Sequence, residues 1–415
     1  KGGAAMIKKL LKNGLTDEII IVATAVAAFF PWALSLVALS AIAVALLAAP
    51  RTRRIIFGYR NSVFLLPFVP VALIPPAVHR NWLGVVCGAG ILLVFTLFIY
   101  IKCTITAKTA DRAFDAVCIM SIVAAIYAAV EKAVYLRFPR LAVHSIVLPS
   151  NDELRSASLF GNPNLYSSVI CIAILISVHM LIERKGDFKL YCVTIAANLI
   201  GTMLCGSLMG MIELVVGFIV MLALKRRFKL LAVFAALGVA GAVAIITVPQ
   251  LLPRLVDARH SFEMRVHIWE LAAIMFKKAP VFGRGILSYM AFSPDYAGQA
   301  AQLGIHEVRV TTNAHNIIFD GLLSFGTVGF LMVMFYVILA MLPIIREYHR
   351  RNRAYSSLAI AAAAGAFAHG MFDVTLAWPQ VIVLMLTVLA AGSLSADRVA
   401  ADAADNHIVK RTQED

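Results

Sequence analysis

The sequence predicts an all-α polytopic membrane protein, and two observations carry that prediction. Hydrophobic residues make up 61% of the 415 residues, and the mean hydropathy is +0.86. Because soluble globular domains contain only about 45–50% apolar residues, the composition excludes a soluble fold. Apolar runs long enough to cross a bilayer, which takes roughly 20 residues, also follow one another along most of the chain.

Prolines, glycines and charge clusters divide the apolar sequence into about twelve candidate transmembrane helices. Pro31 and the Cys205-Gly206-Ser207 segment are the two less marked breaks, each dividing a longer apolar stretch in two. The candidate spans are residues 17–30, 32–49, 62–78, 82–101, 113–135, 164–182, 190–206, 208–224, 229–248, 314–345, 355–374 and 376–394.

The basic clusters decide the number of spans and their orientation. Lys and Arg are enriched in cytoplasmic loops. Six basic clusters fall on one side of the membrane only if the chain turns between two helices both at Pro31 and at Cys205-Gly206-Ser207. They are Lys8-Lys9-Lys12, Arg51-Arg53-Arg54, Lys102/Lys108/Arg112, Arg184-Lys185-Lys189, Lys225-Arg226-Arg227-Lys229 and Arg346-Arg350-Arg351-Arg353. We therefore expect both termini in the cytoplasm. Since topology accounts for much of the net charge of +14, we expect the lipid bilayer and no nucleic acid as a partner.

This topology predicts four regions. Residues 1–248 contain transmembrane helices 1–9 and a short periplasmic loop near 136–163, and 249–313 form a large periplasmic loop. Residues 314–394 contain helices 10–12, and 395–415 form a cytoplasmic tail. The six cysteines form no CxxC motif and lie in or beside apolar runs, so we expect reduced packing residues and neither a disulfide framework nor a metal site.

The large loop contains a predicted amphipathic helix over residues 261–278. Apolar residues recur at helical spacing, and polar residues fall on the opposite side. The apolar set is Phe262, Val266, Trp269, Ala273 and Phe276, and the polar set is Glu263, His267, Glu270 and Lys277. Such a helix is expected to lie flat at the interface, with its apolar stripe in the lipid or on the bundle.

Both predicted periplasmic loops are rich in arginine, although basic charge on that side is normally sparse. The planar guanidinium fork can donate two parallel hydrogen bonds to a phosphate group, so the set indicates an anion site. Solvated surface charge, or attraction to anionic lipid heads, remains the alternative for any single residue. The arginines include Arg155, Arg259, Arg265, Arg284 and Arg309.

His315 begins the apolar run that follows the large loop, where water meets the bilayer. Its imidazole is a candidate general base, because an imidazole titrates near neutral pH; the alternative is a helix-start residue that hydrogen-bonds loop backbone. Asn313 and Asn316 flank it and are candidate substrate ligands or simply helix N-caps. Three further ionisable residues lie in predicted spans, where such groups often have a function: Glu213, His369 and Asp373.

The order of short motifs resembles that of the O-antigen ligases and their relatives, the O-antigen polymerases and protein O-oligosaccharyltransferases. The resemblance covers roughly residues 150–330 and includes Arg155 and Asn162-Pro163-Asn164 before an earlier span. The other motifs are Ser261-Phe262-Glu263-Met264-Arg265 with Trp269, Pro280-Val281-Phe282-Gly283-Arg284-Gly285, and Asn313-Ala314-His315-Asn316 with Gly326 and Gly329 downstream. Many relatives carry Ser-Arg after the seventh span, whereas Leu208 follows Ser207 here.

The resemblance implies a multi-pass, GT-C-like glycosyltransferase of the bacterial inner membrane with a periplasmic active site. It implies transfer of polymerised O-antigen glycan from undecaprenyl diphosphate to lipid A-core by an inverting mechanism without metal or cofactor. His315 and Arg265 are then the expected catalytic residues. Expected ligands of the donor diphosphate or substrate are Arg155, Asn162, Asn164, Arg259, Arg284, Arg309, Asn313 and Asn316. O-antigen polymerase and protein O-oligosaccharyltransferase remain alternatives, and a transporter or flippase is a weaker one, because no inverted repeat is evident.

Overall fold

The computed structural model describes residues 15–137, 155–247, 258–302, 304–305, 308–350 and 353–394, and over these residues it is built from α-helices, short 3-10 turns and loops. The helices are α1 (Leu15–Ala27), α2 (Trp32–Ala48), α3 (Pro50–Gly58), α4 (Phe68–Val78), α5 (Trp82–Thr104), α6 (Ala107–Arg137), α7 (Pro163–Glu183), α8 (Phe188–Cys205), α9 (Leu208–Leu224), α10 (Phe228–Thr247), α11 (Ala258–Phe276), α12 (Ser288–Phe292), α13 (Ala297–Gln302), α14 (Ile317–His349), α15 (Arg353–Gly370) and α16 (Pro379–Gly392). The prediction of an all-α membrane protein is confirmed in this coarse form. Most of the predicted 136–163 loop, the start of the 249–313 loop and the 395–415 tail lie outside the described residues.

Among the described residues, six helical segments are long and apolar enough to cross a membrane, or seven if the bent pair α2 and α3 forms one span. The predicted number of twelve is therefore not confirmed. The difference arises because several predicted spans form shorter helices, such as the 17-residue α9 and the 14-residue α16. The two less marked breaks do separate helices: Pro31 precedes α2, and Gly206, in the left-handed region at φ 54°, follows α8.

Residues of four of the basic clusters come together at one end of the bundle, which we call the basic end. Ion pairs there join Arg51 to Asp17, Arg112 to Glu18, Lys185 to Asp111, and Lys225 to Glu183. Tyr348, in the last turn of α14, also donates to the Leu224 carbonyl at the end of α9 (3.0 Å). The opposite end carries Asn164, in the first turn of α7, about 30 Å away at 1.5 Å per residue. We call that opposite end the site end.

The 33-residue α14 is longer than a bilayer requires, and it is interrupted at Gly326 (φ 63°). The Pro280–Gly285 segment packs across the break: Thr327 N donates to the Pro280 carbonyl (2.8 Å) and Gly285 N to the Ser324 carbonyl (2.8 Å). A Cβ at Gly326 would lie 2.3 Å from the Val281 backbone, so glycine is required here for both conformation and space. The first turns of α14 are thereby fixed against the segment that follows α11.

The helix predicted at 261–278 is present as α11, but its buried face differs from the predicted stripe. The buried residues are Ile268, Leu271, Ala272 and Met275, which pack against residues of α12, α13 and α14. Of the predicted stripe, Phe262 is 48% exposed and Trp269 is partly buried. The helix therefore packs on a small separate core through a face adjacent to the expected one, because tertiary neighbours select among several apolar positions.

Candidate active site

Residues 371–375, in the stretch between α15 and α16, contact four of the ten predicted site residues at the site end. The Met371 carbonyl accepts from Asn316 Nδ2 (2.9 Å), and the Phe372 carbonyl accepts from Arg265 Nε (2.9 Å). The Asp373 carboxylate contacts both His315 and Asn164. We call these residues the 371–375 segment. It joins α7, α11 and α14 at one place.

His315 and Asp373 form a hydrogen-bonded pair, with 3.1 Å between imidazole Nδ1 and carboxylate Oδ1. The His315 side chain is 24% exposed, whereas that of Asp373 is only 7% exposed. A carboxylate on Nδ1 fixes the imidazole tautomer with the proton on Nδ1 and leaves the Nε2 lone pair free to accept a proton. This is the arrangement that a general base requires.

Two backbone features hold His315 in place. Its φ is 47°, in the left-handed region that costs free energy for a residue with a side chain. The conformation is fixed because His315 N donates to Asn313 Oδ1 (2.9 Å), and Asn316 Oδ1 caps α14 by accepting from Ile318 N (2.9 Å). Asn316 is thus the N-cap of α14, and Asn313 fixes the turn at His315; their roles as substrate ligands stay predictions.

Asp373 is held in its ionised form. Burial raises its pKa, but the hydrogen bond and charge of His315, the charge of His369 and the hydrogen bond from Asn164 together outweigh burial and lower the pKa below its ordinary value. Asn164 Nδ2 donates to Asp373 Oδ2 (2.5 Å), and Val374 N donates to Oδ1 (2.8 Å). The carboxylate thus receives three donors and stays available to His315 throughout the neutral pH range.

An open pocket of about 340 Å³ lies beside this pair and has a guanidinium on each of two walls. Arg155 comes from the segment before α7 and Arg265 from α11. The remaining lining residues are Asn164, Gly206, Leu208, Met209, Ile212, Ser261, Phe262 and Phe372. Arg265 is positioned by the Phe372 carbonyl and by Ser261 Oγ (2.6 Å). His315 does not line the pocket itself; Asp373 and Asn164 connect it to the wall.

Arg155 and Leu208 line the same part of the pocket. Arg155 Nε donates to the Cys205 carbonyl (2.8 Å), and one terminal nitrogen donates to Asn164 Oδ1 (2.9 Å). Ser207 Oγ donates to the same Asn164 oxygen (2.8 Å). Leu208 lines the pocket with an apolar side chain, so Arg155 is the residue that brings a positive charge to this wall.

Of the other predicted ligands, Asn162, Arg284 and Arg309 lie outside the lining of this pocket. Asn162 caps α7 and is exposed, and Arg309 is exposed. Arg284 stacks on Phe292 (4.8 Å from guanidinium carbon to ring centre), and its carbonyl accepts from Asn81. Arg259 lies in the first turn of α11. The roles of these four residues in substrate binding stay predictions.

Sequence patterns did not point to the role of Asp373 as the partner of His315, nor to Ser207 and Phe372 as site residues. In the sequence, His369 lies one helical turn before Asp373, but the helix ends at Gly370 and the next residues turn. Gly370 was the available signal, since glycine is common at helix ends and a carboxylate just past a helix end can face a different neighbour from the one four residues before it.

Helix content and site geometry together define a multi-pass membrane protein with an imidazole–carboxylate pair beside an arginine-lined pocket at one end of its bundle. Comparison with protein-family models matches residues 190–334 to the O-antigen ligase family. These residues span α8 to the middle of α14 and include Arg265 and His315. The predicted resemblance to O-antigen ligases is confirmed over that range. The family consists of glycosyltransferase-like ligases and polymerases, which supports an enzymatic role. No curated protein matches the chain.

Proposed function

We propose that the protein is an O-antigen ligase, which transfers polymerised O-antigen glycan from undecaprenyl diphosphate to lipid A-core. The observation that carries the proposal is the contact between His315 Nδ1 and Asp373 Oδ1 (3.1 Å), adjoining a pocket lined by two arginines. A base and an anion site side by side are what glycosyl transfer from a lipid diphosphate needs. The family match over residues 190–334 supports the same chemistry.

In the proposed reaction, an acceptor hydroxyl oxygen attacks the anomeric carbon of the first donor sugar while the bond from that carbon to the diphosphate oxygen breaks. His315 Nε2 takes the hydroxyl proton, and the ionised Asp373 stabilises the imidazolium that forms. The diphosphate leaves with the bonding electron pair. Attack from the face opposite the leaving group inverts the anomeric centre.

Arg155 and Arg265 are proposed to bind the diphosphate and to stabilise the negative charge that develops on it. Guanidinium groups held by hydrogen bonds to protein need little reorganisation during the reaction, which is the basis of electrostatic stabilisation. Each is held through part of its donor set, by the Cys205 carbonyl and Asn164 in one case and by the Phe372 carbonyl and Ser261 in the other. We propose that this charge serves in place of a metal ion.

The proposed orientation places the basic end in the cytoplasm and the site end in the periplasm of a bacterial inner membrane. The clustering of Arg51, Arg112, Lys185 and Lys225 at one end supports it, because basic residues are retained on the cytoplasmic side. The lipid-linked donor and the lipid A-core acceptor would then both reach the pocket from the outer leaflet.

O-antigen polymerase and protein O-oligosaccharyltransferase remain the alternatives, because the same donor chemistry serves a different acceptor. A lipopolysaccharide gel from a deletion strain separates the first from the ligase. Loss of the whole O-antigen ladder with accumulation of lipid-linked polymer supports ligase, whereas core carrying a single repeat unit supports polymerase. An unchanged ladder with loss of glycan from a periplasmic protein supports the protein-directed enzyme.

A further inference from the structure

A second buried acid–imidazole pair lies inside the bundle, below the 371–375 segment. His369 Nδ1 on α15 is 2.6 Å from Glu213 Oε2 on α9. Both side chains are almost completely buried, at 0% and 2% exposure. Neither lines the arginine pocket. Burying two ionisable groups is costly unless they are paired and hydrogen-bonded, so the pair needs a physical reason to be there.

The pair is tied to both ends of the 371–375 segment. The His369 carbonyl accepts from Phe372 N and Asp373 N (both 2.9 Å), so His369 starts the turn that carries Asp373. Ser168 Oγ on α7 lies 2.8 Å from Glu213 Oε2, 3.2 Å from His369 Nδ1 and 3.0 Å from Thr375 Oγ1. Thr375 is the last residue of the segment. The segment that holds Arg265, Asn316, Asn164 and His315 is therefore attached to the pair before and after Asp373.

Close helix packing fixes the pair from the other side. A Cβ at Gly365 would lie 2.6 Å from the Glu213 carbonyl oxygen, so α9 and α15 approach each other as closely as a glycine allows. Glu213 can therefore move little relative to His369. Because the pair is held rigidly and the segment is short, the position of His369 fixes the position of the Asp373 carboxylate four residues later.

We infer that Glu213 and His369 are positioning residues for the His315–Asp373 base: they share a proton, present a positive imidazole to Asp373 and hold the 371–375 segment in its reactive geometry. This inference rests on the proposed function. Charge then alternates along the series Glu213, His369, Asp373 and His315. The positive charge of His369 already contributes to the low pKa of Asp373. Other charged groups around the base are Asp320 on α14, Arg265 on α11 and Arg155 beside Asn164, and all three stay unchanged in the test below.

The test substitutes Glu213→Gln and His369→Gln in the full-length protein, purified in lipid nanodiscs. Without the Glu213 carboxylate, His369 Nδ1 loses its charged partner, and the start of the 371–375 segment is held less firmly. We expect kcat to fall about 10–100-fold, the range typical for partners that orient a reacting group, with the KM for the lipid-linked donor nearly unchanged. In His369→Gln, loss of the imidazole charge that faces Asp373 should also move the acid-side midpoint of the pH–rate profile to higher pH.

His179→Gln is the matched control, because His179 is also completely buried on α7 but lies near the basic end against Phe114 and Tyr355. It should leave kcat and the pH midpoint at wild-type values. Ser168→Ala, which deletes one hydroxyl, provides a third variant if the other two do not fold, and it should lower kcat in the same direction. Size-exclusion profiles and melting temperatures report folding separately from turnover.

His315→Ala is assayed in parallel to separate two kinds of failure. If His315→Ala is as active as wild type, the proposed base is wrong, and the inference falls with it. If His315→Ala is inactive while Glu213→Gln and His369→Gln keep wild-type kcat and pH midpoint, the positioning role alone is overturned. Lower melting temperatures with unchanged kcat per folded molecule would likewise overturn it, since they would mean that the pair only packs helices.

Discussion

Substitution of Asp373 by Asn tests the base most directly, because it keeps the size of the side chain and removes one acceptor. The carboxylate receives three donors: His315 Nδ1 (3.1 Å) and Val374 N (2.8 Å) on one oxygen, and Asn164 Nδ2 (2.5 Å) on the other. Asparagine has one oxygen and one amino group. Either orientation of the amide therefore puts a donor against a donor.

The two orientations have different consequences. If the amino group faces Asn164, one buried donor loses its acceptor, which costs about 1–3 kcal/mol. Rotation of the Asn164 amide cannot relieve this, because its oxygen accepts from Arg155 and Ser207. If the amino group faces His315, the imidazole must accept at Nδ1, so its proton moves to Nε2 and no base remains. In both orientations the negative charge that stabilises the imidazolium is lost.

We therefore expect Asp373→Asn to lower kcat by about 10²–10⁴-fold, the contribution of positioned proton transfer. This equals about 2.7–5.5 kcal/mol in the activation free energy. A comparable substitution in a serine protease triad, which produces the wrong imidazole tautomer, costs about 10⁴-fold. The Kd for the donor should change little, because the arginines keep their own hydrogen bonds.

The assay is transfer of glycan from undecaprenyl-diphosphate-linked donor to lipid A-core by enzyme in nanodiscs, followed over a range of pH. Asp115→Asn is the matched control, because Asp115 also accepts a side-chain hydrogen bond, from Tyr191 (2.6 Å), but lies at the basic end. It should retain near wild-type kcat. Since the folded pKa of Asp373 is lowered, this carboxylate does not titrate in the neutral range, and the acid limb of the wild-type profile does not belong to it. If the kcat of Asp373→Asn recovers fully at higher pH, the tautomer argument is refuted. Asp373 would then only tune the basicity of the His315 imidazole.

Four further outcomes are expected. His315→Gln, which hydrogen-bonds but accepts no proton at neutral pH, should lose about 10²–10⁴-fold in kcat as His315→Ala does, and an active Gln variant would leave His315 as a positioning residue. Arg265→Lys and Arg155→Ala should each reduce turnover strongly with protein still present in the membrane, while Lys277→Ala, at an exposed position outside the site, serves as control; near-normal activity of Arg265→Lys would argue against a bidentate role. Turnover should persist in excess EDTA, and loss of activity that Mg²⁺ restores would contradict leaving-group stabilisation by arginine. Single cysteines can be placed at the exposed positions Gln299 and Asp187 in a background without native cysteines. In intact spheroplasts an impermeant thiol reagent should label only the cysteine at position 299. Labelling only at position 187 would show that the protein has the opposite orientation.

The sequence by itself determined the membrane class, most helix positions and the place of His315. Hydropathy and helical periodicity are local properties, so the breaks at Pro31 and Gly206 and the helix after residue 258 were predictable. The sequence did not determine which apolar face α11 buries, because several positions at helical spacing were equally apolar. It also did not establish the number of spans, since helices of 13–17 residues are too short to be assigned as spans by length alone.

Only the tertiary structure decided which polar residues meet. Asn164 and Asp373 are 209 residues apart in sequence and yet share a hydrogen bond, and nothing in either local pattern encodes that contact. The arginines looked equivalent as sequence, but Arg155 and Arg265 reach one pocket while Arg284 stacks on Phe292. Which of these polar side chains contact each other depends on how α7, α11 and α14 pack around the 371–375 segment. Packing is a property of all the helices together, which is why the geometry of the base could not be read from any one of them.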